Sequence, residues 1–411
     1  MRPEINVIDP SVYERSGVPH DQFTWLRAHD PVHWHPDPNE NVPGFWAITK
    51  HADVMHISRH PELFSSHLRG SLFEEWSDDD VALFGMMMLF QDPPDHTRNR
   101  LKVNRGFTPR MIAKLEDHIR DICHELIDNV APRGHADFAE EIAAPLPAYV
   151  ICELLGAPQS DREMICDWSN KIIGFNDPEL SGAQEEAAKL AAELMEYASR
   201  LAAERRAEPR DDIATRLLQP DENGNVLSDE EFQLFVLMLV IAGHETTRTG
   251  SVNGIQAFFD HPDQWERLKN DRSLLRTAPD EIVRWTSPLN LFRRTAVRDT
   301  ELRGKKIRAG DKVVMFYPSA NRDEEVFEDP FTFDIGRDPN PHVGFGGGGP
   351  HYCLGSHLAR LELRVLFEAV LDRLPDIRPA GEPRRLRSNF VNGIKELQVE
   401  FTPSPRRDGS M

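Results

Sequence analysis

The chain has 411 residues, a formal charge of −20 at neutral pH and 39% hydrophobic residues. That excess of acid disfavours nucleic acid and anionic membranes as partners, while the apolar fraction is ample for a buried core. The opening MRPEINVIDP lacks an apolar leader, no apolar run reaches membrane-spanning length, and four scattered cysteines make no disulfide framework. These features point to a soluble, cytoplasmic protein without a membrane span. Length alone suggests two or three domains. No linker, low-complexity tract or fixed repeat marks a cut, so one domain over residues 1–411 is expected.

In chain order, Pro31 to Thr49 reads as two short strands around a Pro/Asn loop, and Ala52 to Ser58 as helix. From His67 to Leu89 the pattern is lost in a long irregular stretch holding Trp76, Phe84 and Met86-Met87-Met88. Long loops tend to be functional or disordered. Flexible methionines suit an adaptable apolar pocket, although a core-facing Met run is the commoner case.

From His96 to Lys114 the cations Arg98, Arg100, Lys102, Arg105 and Arg110 accumulate without an intervening acid. Such runs are most often a solvated helix face. His96 and Arg100 share one helical face and can both bond a carboxylate; the others can dock a small acidic protein. Residues 111–220 read as mostly helical, broken near Pro132, Pro145, Pro158 and Pro178.

Ser228 and Glu231 make a capping-box signature ahead of a long apolar helix. Inside that helix sits Ala242-Gly243-His244-Glu245-Thr246-Thr247. A glycine and threonines at mid-helix weaken it, since a threonine hydroxyl can bond the carbonyl one turn back. An acid beside a hydroxyl can relay protons, though an ordinary polar face is the more frequent reading. Glu281 and Arg284 then stand at i, i+3. Residues 301–317 read as a strand pair around Ala309-Gly310-Asp311, and the end of the chain as a hairpin turning near Asn392-Gly393.

The stretch PHVGFGGGGPHYCLGSHLARLELR, residues 341–364, carries the strongest signal. Cys353 lies between a glycine run and a helical pattern with Leu358, Leu361, Val365 and Leu366 on one face. The field of a helix N-terminus favours thiolate there, and a thiolate so presented suits axial ligation of haem iron. Three other readings compete. Gly344-x-Gly346-x-x-Gly349 fits a dinucleotide fingerprint, but no strand precedes it and no βαβ pattern follows. A buried structural cysteine is common. Zinc on His351, Cys353 and His357 would need a second ligand cluster at finger-like spacing, which is missing.

Phe345, Gly349, His351, Cys353 and Gly355 together resemble the haem-binding loop of the cytochrome P450 family of haem-thiolate monooxygenases, with one glycine more between Phe345 and Cys353 than the common pattern. The resemblance extends over nearly the whole chain. It implies a mainly α fold with a smaller β region, the haem b buried between an oxygen-binding helix and the helix after the cysteine loop, and O2 as co-substrate. Cys353 would be the metal ligand. Ala242 and Gly243 would leave room for oxygen, and Glu245 and Thr246 would be the acid–alcohol pair that delivers protons. His96, Arg100 and Arg294 would hold the propionates, with Arg293 an ambiguous neighbour. Glu281, Arg284 and Arg337 would form a structural network. Phe84 and Met87 in the irregular stretch would face the substrate, with Phe175 in a roof segment and Leu239 on the long helix. Leu289, Asn290 and Leu291, with Phe390 and Val391 at the closing turn, would complete that pocket.

No reductase signature is present, so the resemblance implies electrons from a ferredoxin and its NAD(P)H-dependent reductase. The wording of GFWAITK, NPHVGFGGGGPHYCLG and SNFVNGIKELQVEFTP is similar to a bacterial branch that oxidises the terminal methyl of sterol side chains or branched lipids. A terpene-alcohol hydroxylase is the alternative within the family. A non-catalytic haem sensor, or a peroxide-driven peroxygenase, is the alternative outside that chemistry.

Overall fold

Alternating stretches from the first and last thirds of the chain build a mixed sheet. In the computed structural model, which describes residues 3–37, 42–173, 179, 184–220, 224 and 226–410, its strand order is Val32–His35, Phe45–Ile48, Lys312–Phe316, Leu291–Ala296, Phe64–Ser65. All pairs are antiparallel except Phe45–Ile48 with Lys312–Phe316. The central strand Lys312–Phe316 is buried at every residue, as expected of a strand paired on both edges and covered on both faces. Its side chains alternate. Val313 and Met315 join a cluster with Val32, Ile48 and Val54, whereas Val314 and Phe316 join Phe23, Phe45 and Leu291.

This sheet belongs to one of two compact units, made of Met1–Arg100, Asp280–Cys353 and Arg387–Asn392. The strands and helix expected over residues 31–59 are present, the helix running His51–Arg59. The stretch after His67 is more ordered than its sequence suggests, with a helix at Asp78–Phe84 and a 3-10 turn at Met88–Phe90. Trp76 organises it: the ring packs on Phe84 and Phe90 at 5.5 and 4.5 Å between centroids. The expected strand pair near residue 309 is also corrected. Thr300–Leu302 pairs with Lys305–Ile307 through Arg303 and Gly304, whose φ values are 48° and 76°. Two positive-φ residues give the turn twist that a tight hairpin needs, and Lys312–Phe316 is left free for the main sheet.

The other unit comprises Leu101–Pro279, Leu354–Leu386 and Gly393–Met411 and is mainly helical. Its axis is the 32-residue helix Asp229–Asp260, opened by the reciprocal capping box of Ser228 and Glu231. The helix is apolar on most sides because it packs against Pro145–Leu155, Arg162–Ile173, Gln184–Ala207 and Ser356–Arg373. Glu116–Val130 lays its stripe of Ile119, Ile122, Cys123, Leu126 and Ile127 towards Ser356–Arg373. At the end of the chain Arg384–Arg385 pairs with Ile394–Glu396, a hairpin with a longer connection than a two-residue Asn-Gly turn. Phe175, in the roof segment inferred from sequence, lies outside the described residues.

Candidate active site

The cysteine loop is shaped by what its glycines touch. Gly346, Gly348 and Gly349 take φ values of 97°, 84° and 75°, the region that side-chain-bearing residues avoid. A Cβ on Gly349 would stand 2.2 Å from the Ser58 carbonyl oxygen, and one on Gly347 2.9 Å from that of Val54. The additional glycine is thus accommodated by pressing the loop onto the backbone of helix His51–Arg59. No strand leads into the loop, so the dinucleotide reading has no structural support. The Cys353 N–H donates to the Phe345 carbonyl at 2.9 Å, closing the loop over a buried phenylalanine. Cys353 itself is half-buried and unlinked to another cysteine. Three residues on, helix Ser356–Arg373 begins after Gly355, which offers no side-chain cap, and a Cβ on Gly355 would meet nothing within 4 Å.

Around that loop the first unit gathers nitrogen donors. Arg100 donates to the Tyr352 carbonyl at 2.7 Å. The rings of His96 and His351 lie 4.2 Å apart, and His351 Nε2 is 3.1 Å from the Ser66 hydroxyl. Burial, reinforced by the Arg100 charge, pushes His96 down to about 4; burial and then Arg294 hold His351 well below the usual histidine range. Both imidazoles are therefore neutral donors at pH 7. His96 Nδ1 is buried without a partner, and Arg294, buried, gives one hydrogen bond to the Arg293 carbonyl at 2.7 Å. An unpaired buried donor among arginines is the setting that an anionic group would satisfy.

Strand register resolves the ambiguity between the two arginines. Arg294 pairs with Val313 and Arg293 with Val314, so their side chains leave opposite faces of the sheet. Arg294 lies near enough to His96 and His351 to depress both. Arg293 instead donates to the Glu74 carbonyl at 2.9 Å and pairs with Glu75 at 3.1 Å.

In the helical unit, Ala242 is exposed and Gly243 and Thr246 half-exposed on a helix stretch whose neighbours Val240, His244 and Thr247 are buried. The Thr246 hydroxyl donates to the Ala242 carbonyl at 2.7 Å, one turn back, yet the helix continues unbroken. Glu245 does not meet Thr246. Its buried carboxylate pairs with Arg248 at 3.3 Å and accepts from the Thr249 hydroxyl at 3.2 Å. Arg248 in turn reaches Glu140 at 2.7 Å. Sequence reasoning missed Arg248 and Glu140; the i, i+3 spacing from Glu245 was the available signal for the first, and nothing local pointed to the second. Gly393 approaches the same carboxylate, with a would-be Cβ 3.6 Å from Glu245 Oε1.

Glu281 is fully buried and holds Arg284 in a fork of 2.7 and 2.8 Å. It also accepts from the Asp334 N–H at 2.8 Å and the Asn340 amide at 3.0 Å, with Arg337 Nε at 3.3 Å as an unaligned ion pair. Of the apolar candidates, Phe84 is exposed, Met87 and Leu239 are buried, and Leu289 bridges Val391, with Phe390 beside Asn290. Leu291 is fully buried in the core with Phe45 and Phe316. The basic run is likewise not bare. Arg98 pairs with Asp95, Lys102 with Glu231 and Lys114 with Asp211. Arg105 ties down the carbonyls of Leu217 and Gln219, so the fold supplies acceptors that the local sequence lacks. Among the described residues there is no cluster of three or more metal-ligating side chains, which removes the zinc reading, and no helix long and apolar enough to cross a membrane.

Comparison with known proteins gives the family. The cytochrome P450 family profile matches residues 151–401, and the chain belongs to that family: it is a haem-dependent monooxygenase. It is 46% identical over 410 residues to the steroid C26-monooxygenase of Mycobacterium tuberculosis H37Rv, covering 98% of this chain and 94% of that protein. It is 42% identical over 390 residues to the methyl-branched lipid omega-hydroxylase of the same strain, covering 92% and 90%. A Mycobacterium marinum cytochrome P450 solved in complex with pseudoionone matches with a TM-score of 0.88 at 38% identity, over 98% of this chain and 100% of that one. The cytochrome P450 fold, mainly α with a smaller β region, is therefore the fold of this protein.

Proposed function

We propose that the protein hydroxylates the terminal methyl of a sterol side chain, cholest-4-en-3-one being the test substrate, or of a branched lipid. The full-length similarity to a steroid C26-monooxygenase carries this reading. The pseudoionone complex of a neighbour favours a smaller isoprenoid as the second reading. The same full-length coverage supports one catalytic domain spanning 1–411, which a single cooperative unfolding transition would test.

The donor set fits a haem. Cys353 would ligate its iron, and His96, Arg100, Arg294 and His351 would hold its propionates. The bound haem supplies activation of O2 and insertion of one oxygen atom into a C–H bond. What this chain adds is local. Neutral His96 and the arginines would donate to the carboxylates, Thr246 holds a proton on Oγ1 at the exposed side of its helix, and Glu245 keeps a carboxylate one residue away. Arg248 engages that carboxylate at 3.3 Å.

Electrons would come from a ferredoxin. Arg272, Arg276, Arg360 and Arg364 gather around an open cleft in the helical unit, where Arg364 pairs with Glu116 at 2.6 Å and Arg272 with Asp372 at 3.1 Å, and such a cluster is the kind of face an acidic partner would meet. Soret titration of the ferric protein with cholest-4-en-3-one tests the substrate. A shift towards high spin and a terminally hydroxylated product are expected. No shift with sterol, but a shift with a branched fatty acid or an acyclic isoprenoid, would move the assignment to that class.

A further inference from the structure

The motif Phe292-Arg293-Arg294 contributes one arginine to the haem-facing cluster and leaves the other without a role. Arg293 is almost completely buried, and a buried guanidinium needs a reason. Its backbone N–H donates to the Ser71 carbonyl at 2.8 Å, its side chain to the Glu74 carbonyl at 2.9 Å, and it pairs with Glu75 at 3.1 Å. Lys312, across the strand pair on the same face, takes the same Glu75 carboxylate at 2.6 Å and Asp37 at 3.2 Å. Its ammonium also sits 4.4 Å from the centre of the Phe73 ring. The segment 71–75 is thereby fastened to two strands through the Arg293 backbone and side chain and the Lys312 ammonium. Directly after it comes Trp76, on which Phe84 and Phe90 pack. Arg69 closes the turn by pairing with Asp78 at 2.9 Å.

We propose that Arg293, Glu75 and Lys312 form a latch that positions the 71–90 segment, so that substrate admission is set by Arg293 and haem retention by its neighbour Arg294. This rests on the reading that Phe84 and Met87 of that segment face the substrate. Glu75, 40% exposed at its side chain, is the reachable member and the one carboxylate that both cations share. Arg293 is a positioning residue and touches neither haem nor substrate.

The test uses haem-loaded wild type, Glu75→Gln, Arg293→Met and Arg294→Met, with imidazole as a small iron ligand and clotrimazole as a bulky one, followed by stopped-flow at the Soret band. Glu75→Gln and Arg293→Met are expected to release clotrimazole about tenfold faster. Imidazole rates and haem content should stay at wild-type values, and Glu75→Gln combined with Arg293→Met should be no worse than either single. Amide exchange over residues 69–77 should quicken in Glu75→Gln, with or without ligand. Unchanged clotrimazole release together with unchanged exchange would overturn the latch. Haem loss in Arg293→Met comparable to that in Arg294→Met would overturn the division of roles. Should Arg293→Met not fold, Glu75→Gln carries the test alone. Wild type that binds neither azole would instead refute the haem site, leaving exchange over 69–77 to decide the latch.

Discussion

Glu281→Gln gives the most demanding check on how the cysteine-bearing unit is held together. The carboxylate is fully buried and accepts four hydrogen bonds, two from Arg284, one from the Asp334 N–H and one from Asn340, with Arg337 close by. Glutamine keeps the shape but removes the charge, and its amide turns donors towards donors. Arg284, also fully buried, would retain only the carbonyls of Asn321, Pro330 and Thr332. Stranding one member of a buried ion pair costs about 3–5 kcal/mol, against a total stability on the order of 5–15 kcal/mol. Urea unfolding followed by far-UV circular dichroism and the Soret band should show the midpoint falling by on the order of 1 M, given an m-value at or above ~3 kcal/mol/M. Arg337→Met should fall by less, because its contact with Glu281 is long and unaligned. A Glu281→Gln midpoint equal to that of wild type, or a larger loss in Arg337→Met, would refute the reasoning.

Cys353→Ser should abolish the red-shifted Soret band of the ferrous–CO complex; a surviving band would mean another residue ligates the iron. Thr246→Ala should still bind haem and substrate but consume O2 with little hydroxylated product, read as product formed per O2; unchanged coupling would remove Thr246 from proton delivery. Glu362, fully buried on the helix after the cysteine loop, is pushed up to about 8 by burial. The folded state therefore keeps this proton where the unfolded chain has lost it, and stability declines as pH rises from about 4.5 to about 8, by at most about 5 kcal/mol. Glu362→Gln should flatten the Tm profile over that window and exceed wild type at pH 8; parallel profiles would refute the assignment.

Much of the fold and site was legible locally. Ser228 and Glu231 announce the long helix because a capping box is chemistry between residues three apart. The cysteine loop is readable because positive-φ turns demand glycine whatever surrounds them. The ordered segment around Trp76 was not legible: no periodicity announces a helix as short as Asp78–Phe84, and its organising ring contacts reach back to Gly70 and forward to Phe90.

The sequence by itself determined the glycine-rich cysteine loop, the capped long helix, the first strands and the family they belong to, since each depends on residue types at short spacing. Only the tertiary structure decided what the charged groups face. Register sends Arg293 and Arg294 to opposite sides of one sheet, Glu140 reaches Arg248 from 108 positions away, and the carbonyls of Leu217 and Gln219 occupy Arg105. A buried charge must find a partner or remain unfolded, and that partner is chosen by packing between distant segments, which no local pattern encodes.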